Sequence, residues 1–435
     1  MKIAYLKKMN NLIPGSVKKI FSPVIRKKLI NNQVFIEQIK ELEDFSSMSD
    51  SEIRVKQLEL LKDTLIHAYE NTIYYKNLFD KILFNPYKFS DFAELEKIPL
   101  ISKDEIIQNF NDLQASDEND YYFATTGGST GKPLKIHLDR KSIYKERAFV
   151  YSFWSKHGYD YRFSKVASFR GTDFNNKIFK VNPLYMEIQM NPCAINNQTI
   201  TEYVKVMDKF GVQFLHGFPS AIYSFCKYSE SSGINLKNKY QAVFFISENV
   251  YDFQKEYVEK VLNCKSYAFY GHSERAVFAE EYDEGYLFNP LYGYVEFNQS
   301  NEIICTGFIN RRMPLIRYKL DDTAIKKTNG FYQIIGHRDG FLYGKNNEIV
   351  SAAMLEVHST LLDKIANYQF YQNEKGKVIV YIKPLNTITN DEIEKIKTLF
   401  QEKIGNSMVV DIQIKNDLYF SNRGKFKLIL NEVKD

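Results

Sequence analysis

Between Ala124 and Pro133 the chain reads Ala-Thr-Thr-Gly-Gly-Ser-Thr-Gly-Lys-Pro. Glycines let backbone amides come close to anionic oxygens, while hydroxyls and an ammonium add donors and charge. Thr125, Thr126, Gly127, Gly128, Ser129, Thr130, Gly131 and Lys132 therefore read as a phosphate cradle. It is not the Walker loop, which needs a glycine where Thr126 stands and a hydroxyl residue where Pro133 stands. Taken alone, such a segment is as readily an ordinary turn. Further on, Tyr270-Gly271-His272-Ser273-Glu274 offers an aromatic plane, a glycine and a carboxylate. The same stretch narrowly misses the hydrolase elbow G-x-S-x-G, because Arg275 stands where the last glycine belongs, so Ser273 is not read as a nucleophile.

These residues need a frame. From Ser51 to Leu78 the apolar positions Val55, Leu58, Leu61, Leu65, Ile66 and Ala68 recur mostly every three to four residues, which predicts a helical opening region. Pro99 interrupts it, and Ser102 three residues before Glu105 forms a capping-box signature for a new helix running to about Phe110. Short apolar segments at 241–246, 266–270, 292–297 and 303–308 alternate with helical patterns at 201–210 and 251–262, which argues for an α/β core. The stretch Gly336 to Ile349, rich in Gly, Asn and charge, reads as a linker. Beyond it, strand-like 377–382, a helix over 391–404 and strand-like 409–414 predict a small α+β unit. The expected organisation is a large domain over residues 1–335, with a helical, basic start over 1–50, and a mobile C-terminal domain over 336–435.

Composition narrows the classes of function. The 435 residues are 44% hydrophobic, enough to bury at least one large core, and 33 Phe with 31 Tyr supply large apolar areas. A balance of 58 basic against 53 acidic residues leaves +5, too weak a field to make nucleic acid the main partner. The local exception is Met1 to Ile30, where eight lysines and arginines are interleaved with apolar residues. That segment reads first as packed helical turns with a solvated face, and second as a peripheral contact with a membrane or a membrane-bound complex. The sequence contains no apolar run of bilayer-spanning length and no signal-peptide pattern, so a cytoplasmic protein is expected. Cys193, Cys226, Cys264 and Cys305 are widely spaced and form no C-x-x-C pair, so they suggest neither a disulfide framework nor a zinc site.

The segment TTGGSTGKPLKI resembles the phosphate-binding loop of the adenylate-forming superfamily, in the branch of phenylacetate-CoA ligase and the CapK-like capsular polysaccharide proteins. Residues 60–75 and 98–106 are similar to that branch's N-terminal region, and HGFPSAIYSF (216–225) to its acid-pocket segment. ISENV (246–250), YGHSE (270–274), PLIRYKLDD (314–322), IIGHRDGFL (334–342) and RGKFKLI (423–429) follow in the family's order. The resemblance implies ATP and magnesium in the large domain, with Tyr270 stacked on adenine beside Gly271, Glu274 holding magnesium and Asp322 accepting the ribose hydroxyls. It implies an acid pocket lined by His216, Gly217, Phe218, Tyr223, Phe244, Ser247 and His272. Arg338, in the hinge segment, would reach phosphate or ribose, and Lys425 would be the catalytic lysine of the small domain. The chain departs from the family at Leu320-Asp321, where Thr-Gly is usual, and at His337, where arginine is usual.

The implied activity is conversion of a small carboxylic acid into an acyl-adenylate with release of pyrophosphate. The acyl group then passes to CoA, or to an amine or hydroxyl of a sugar in surface-polysaccharide synthesis. The competing reading is a catalytically silent relative that serves as a binding or scaffold protein in polysaccharide assembly.

Overall fold

The computed structural model describes residues 32–125, 134–171, 174, 177–337, 341–346, 348–351, 355, 359–421 and 424–433. Among the described residues, the first part of the chain carries the α-helices α1 (Gln33–Phe45), α2 (Asp50–Asn71), α3 (Ile73–Lys81), α4 (Lys103–Gln108) and α5 (Arg140–Ser155). The single helical run expected over 51–78 is broken at Thr72. The Thr72 hydroxyl turns back to the Ala68 carbonyl at 2.7 Å and accepts the Tyr75 N–H at 3.2 Å, so it ends α2 and caps α3. The Ser102–Glu105 capping box forms at α4, with the Ser102 N–H donating to Glu105 at 2.7 Å. That helix stops at Gln108, two residues short of the expected end.

A two-stranded hairpin, β1 (Tyr121–Thr125) and β2 (Lys135–Asp139), flanks the glycine-rich segment, of which Thr126 to Pro133 lie outside the described residues. The main sheet then takes β3 (Val166–Phe169), β4 (Phe179–Asn182), β5 (Glu187–Met190), β6 (Phe214–Gly217), β7 (Ala242–Phe245) and β8 (Lys265–Gly271). It continues through β9 (Phe278–Tyr282), β10 (Gly285–Phe288), β11 (Gly293–Phe297), β12 (Glu302–Gly307), β13 (Tyr318–Lys326) and β14 (Tyr332–His337). Its order is β11-β12-β13-β14-β10-β9-β8-β7-β6-β3-β5-β4. Among the described residues, the large part thus has a sheet of 12 strands and the two-stranded hairpin. Its β5-β3-β6-β7-β8 half is parallel and the rest is antiparallel.

Parallel strands buried on both faces read as continuous apolar runs, and every residue of β3, β6 and β7 is buried. Alternate side chains feed opposite layers. Leu215, Val243 and Phe245 pack against α6 (Ile200–Phe210), α7 (Pro219–Ser231) and α8 (Asp252–Leu262), while Phe214 and Phe244 pack against α1 and α5. The antiparallel half is closed by the helical opening region, through Leu61, Leu65, Tyr75 and Phe79.

The C-terminal part contains the pair β15 (Phe341–Tyr343) and β16 (Ile349–Ser351), and a four-stranded sheet of β17 (Ile365–Glu374), β18 (Lys377–Pro384), β19 (Val409–Ile414) and β20 (Ile429–Asn431). Helix α9 (Asn390–Ile404) crosses between the parallel strands β18 and β19, so this part is α+β. It docks on α7 and α8. Phe253 stacks on Tyr368 at 5.6 Å, the buried Lys227 Nζ donates to the Leu362 carbonyl at 3.1 Å, and the Asn197 amide donates to the Leu385 carbonyl at 2.8 Å.

Candidate active site

In an open α/β sheet, ligands bind beyond the carboxyl ends of parallel strands, where the strand order reverses. Here the order reverses between β3 and β6, since β5 lies on one side of β3 and β6, β7 and β8 lie in succession on the other. Gly217 ends β6 at this point with φ +149°, and a Cβ there would lie 2.4 Å from the Phe169 carbonyl oxygen. Only glycine lets the two strands approach so closely.

Of the expected acid-pocket residues, His216, Gly217, Phe218, Phe244 and Ser247 fall at these strand ends, and His216, Phe218 and Phe244 are packed core. Phe244 and His216 are register partners on adjacent strands, and both are buried. The His216 Nδ1 lies 3.0 Å from the Phe244 carbonyl and so carries the proton that donates to it. Burial first, then the positive charge of Arg170, holds His216 well below the usual histidine range, so it is neutral. Trp154 stacks on Phe244 at 4.5 Å and meets the His216 ring at 4.7 Å. Phe218 is buried, and its N–H closes onto the Phe169 carbonyl at 3.0 Å. Ser247 is exposed and carries φ +70°. Tyr223 lies apart from them on α7, in an aromatic group with Phe253 and Tyr257 beneath the C-terminal sheet.

The Tyr270-to-Glu274 segment leaves the end of β8 and meets β13. The Tyr270 hydroxyl donates to Asp322 Oδ2 at 2.7 Å, and the His272 Nε2 lies 3.0 Å from the same oxygen and 2.5 Å from the Tyr270 hydroxyl. Three residues assigned to adenine, ribose and acid thus form one hydrogen-bonded group. Burial is the largest influence on His272 and opposes its charge, but the Asp322 hydrogen bond and charge, with Glu274, outweigh it and raise the histidine above its ordinary value. Burial first, then Asp322, pushes the Tyr270 phenol well upward, so it stays a donor. Gly271 is the last residue of β8. Asp322 is buried while Asp321 is exposed, as alternation along β13 requires. The Leu320-Asp321 departure therefore falls inside a strand. Leu320 is core, Asp321 has no positive φ, and the left-handed residue is Arg317 at φ +51°. Arg317 pairs with Glu296 at 2.9 Å and donates to the Leu95 carbonyl at 3.0 Å, which joins the PLIRYKLDD segment to the residues before α4.

Glu274 is 7% exposed and accepts the Tyr318 hydroxyl at 3.3 Å. After it, Arg275 turns the chain at φ +56° and donates to Ser142 at 2.8 Å. Among the described residues no group of three or more His, Cys, Asp or Glu could hold a metal unaided. The single buried carboxylate of Glu274 is the kind of donor that magnesium takes alongside nucleotide phosphate oxygens. Thr125 ends β1 and is exposed. Arg338, like Thr126, Gly127, Gly128, Ser129, Thr130, Gly131 and Lys132, lies outside the described residues.

Lys425 arrives from the other end of the chain. It sits in a tight turn where the Gly424 N–H donates to the Ser421 carbonyl at 2.7 Å and the Ser421 N–H to the Lys425 carbonyl at 2.8 Å. The next residue, Phe426, donates its N–H to Glu248 in the segment after β7, which brings the turn to the strand ends. Sequence reasoning missed Glu248 and Tyr318. Both lie inside matched segments, ISENV and PLIRYKLDD, and nothing but their position there could have singled them out.

Residues 342–432 match the CapK C-terminal domain family. Over 423 residues the chain is 25% identical to Protein CapK of Staphylococcus aureus, covering 92% of this chain and 93% of that one. Over 105 residues, 24% of each chain, it is 32% identical to the phenylacetate-coenzyme A ligase of Aromatoleum evansii. Among solved structures, 2-hydroxyisobutyryl-CoA ligase in the postadenylation state in complex with R3-HIB-AMP superposes with a TM-score of 0.69 at 14% identity, covering 88% of this chain and 90% of that chain. The same ligase with 2-HIB-AMP and CoA in the thioesterification state gives 0.53 at 15% identity, covering 89% and 91%. The chain is thus similar along nearly its whole length to a CapK protein, matches the CapK C-terminal domain family over residues 342–432, is similar over a shorter stretch to phenylacetate-CoA ligases, and shares the fold of 2-hydroxyisobutyryl-CoA ligase.

Proposed function

We propose that this protein activates a small carboxylic acid with ATP, forming an acyl-adenylate and pyrophosphate, and then passes the acyl group to an acceptor. The observation that carries the reading is convergence. Tyr270, His272, Glu274 and Asp322, from the end of β8 and from β13, lie at the strand ends to which the Phe426–Glu248 bond brings the Lys425 turn from near the other end of the chain. The better superposition on a postadenylation structure than on a thioesterification one supports a docked arrangement suited to the first half-reaction.

Each residue then has a task. Tyr270, its hydroxyl anchored on Asp322, holds its ring as a platform for adenine, and Asp322 accepts ribose hydroxyls. Glu274, oriented by Tyr318, takes the magnesium, which neutralises phosphate charge when bound. Lys425 stabilises the charge that builds on the α-phosphorus and the departing pyrophosphate as the carboxylate attacks. The acid lies at the ends of β3, β6 and β7, bounded by Gly217, Phe218 and Ser247 and backed by the His216–Phe244–Trp154 core. Docking of the C-terminal part excludes water that would hydrolyse the adenylate. We take residues 1–335 and 336–435 as the two units that close and later rotate, although β14 still pairs in the large sheet through His337. CoA is the first candidate acceptor and a sugar amine or hydroxyl the second. The basic N-terminal segment, which lies outside the described residues, would suit work beside a membrane-bound complex. No helix among the described residues is long and apolar enough to cross a membrane.

Acid-dependent exchange of labelled pyrophosphate into ATP, run over a panel of carboxylic acids, tests the reading. Exchange with at least one acid is expected. Silence across the panel, with ATP binding absent as well, would leave the scaffold reading in its place.

A further inference from the structure

Glu248 lies in the segment between β7 and α8, outside the residues given a role above. Its Oε2 accepts the N–H of Ser220 at 3.2 Å, in the first turn of α7, and its Oε1 accepts the N–H of Phe426, the residue after Lys425. One carboxylate thus takes a backbone donor from each half of the molecule. On the far side, the described residues around Lys425 are bonded to one another. Besides the two backbone bonds already described, the Lys425 N–H donates to the Ser421 hydroxyl at 3.1 Å, and Phe420 and Phe426 pair across the turn with rings 5.6 Å apart. Fixing the Phe426 amide therefore fixes the backbone that carries Lys425. The near side is equally firm, because Ser220 belongs to a 13-residue helix whose first turn has amide donors to spare.

We propose that Glu248 is a positioning residue that clasps the Lys425 turn over the site and so selects the arrangement competent for the first half-reaction. It acts through Lys425, and the inference rests on the adenylate-forming reading above. The body of the C-terminal part is held independently by Lys227 on Leu362 and by Asn197 on Leu385, so losing the clasp frees the turn without removing the whole docking surface. If the C-terminal part rotates for acyl transfer, the Glu248–Phe426 bond must break, which makes Glu248 dispensable in that step.

The test uses full-length Glu248→Ala and Glu248→Gln. Hydrogen exchange followed by mass spectrometry should show faster exchange in peptides over 420–428 in the alanine variant, with the rest of the chain unchanged and glutamine intermediate. Pyrophosphate exchange, driven by whichever acid of the panel serves the wild type best, should fall on the order of tenfold to a hundredfold, the scale of one hydrogen bond to a charged group, with the KM for ATP nearly unchanged. Transfer to CoA from the corresponding synthetic acyl-adenylate should keep its rate. Unchanged protection over 420–428, or equal losses in both half-reactions, would overturn the proposal. Should the wild type exchange pyrophosphate with no acid, the adenylation reading fails separately, and protection at 420–428 still decides whether the clasp exists. If the alanine variant does not fold, the glutamine variant carries the same comparison.

Discussion

Replacing Gly217 by alanine probes the point where the sheet changes direction. The new Cβ would stand 2.4 Å from the Phe169 carbonyl oxygen, 2.8 Å from its carbonyl carbon and 2.9 Å from its Cα, all backbone atoms that no rotamer change can clear. Relief requires β3 and β6 to move apart by roughly 1 Å, against a tightly packed interior. That movement strains the bond from the Phe218 N–H to the Phe169 carbonyl at 3.0 Å and the one from the Ile246 N–H to the Gly217 carbonyl at 3.0 Å. The backbone conformation at φ +149° adds about 1–3 kcal/mol for an L side chain, overpacking adds a similar amount, and each weakened hydrogen bond about 1 kcal/mol. The expected loss is about 3–6 kcal/mol, a large part of the stability of an ordinary domain. Gly233→Ala is the internal control, since Gly233 has φ +70° but nothing within 4 Å of the added Cβ, so it reports the backbone term alone. Urea unfolding followed by circular dichroism measures both. If Gly217→Ala lost no more than Gly233→Ala, the close approach of β3 and β6 would not be what glycine serves here.

Asp322→Ala should weaken ATP binding in calorimetry far more than Asp321→Ala, because Asp322 is buried against Tyr270 and His272 while Asp321 faces outward on the same strand; equal losses would refute the assignment. Lys425→Ala should cut pyrophosphate exchange on the order of 100-fold or more while leaving acyl transfer from supplied acyl-adenylate intact, the scale of one strong electrostatic donor; parallel losses would make Lys425 structural. Docking should also depend on pH through Glu248. Burial is the largest influence on it and lifts it from 4.5 to about 7, against the opposing pull of the Phe426 and Ser220 hydrogen bonds and of Lys425, the charged group that faces it. A raised carboxyl favours its protonated form in the docked structure, so the Glu248 contribution is greatest below about pH 4.5 and declines as pH rises through about 7. A fluorescence pair with one label in each unit should show this decline between pH 5 and 8 and a flat response in Glu248→Gln; a docked fraction that rises with pH would contradict it.

What depends on neighbours along the chain was legible in the residues. Short apolar segments marked β7, β8, β11 and β12, the Ser102–Glu105 pair marked a helix start, and the order of glycine-rich, aromatic and acidic segments carried the family resemblance. Local physics also permits what the structure rejected. The apolar spacing over 51–78 runs on through Thr72, and only the side-chain bond back to Ala68 shows that the helix ends there. The resemblance assigns His216 and Phe244 to the acid pocket, and their burial against Trp154 follows from parallel register between strands 28 residues apart, which no local pattern encodes. The same holds for the site's supports. Tyr318 reaches Glu274 across 44 residues and Glu248 reaches Phe426 across 178, contacts that exist only because β13 folds beside β8 and the C-terminal part docks over the strand ends. The sequence by itself determined which chemical groups are present and which short elements carry them, because propensity, capping and strand burial act over a few residues. Which of those groups meet, and which are sealed into the core instead, was decided by tertiary structure alone, because it depends on strand order and docking, where the chain closes loops of dozens to hundreds of residues.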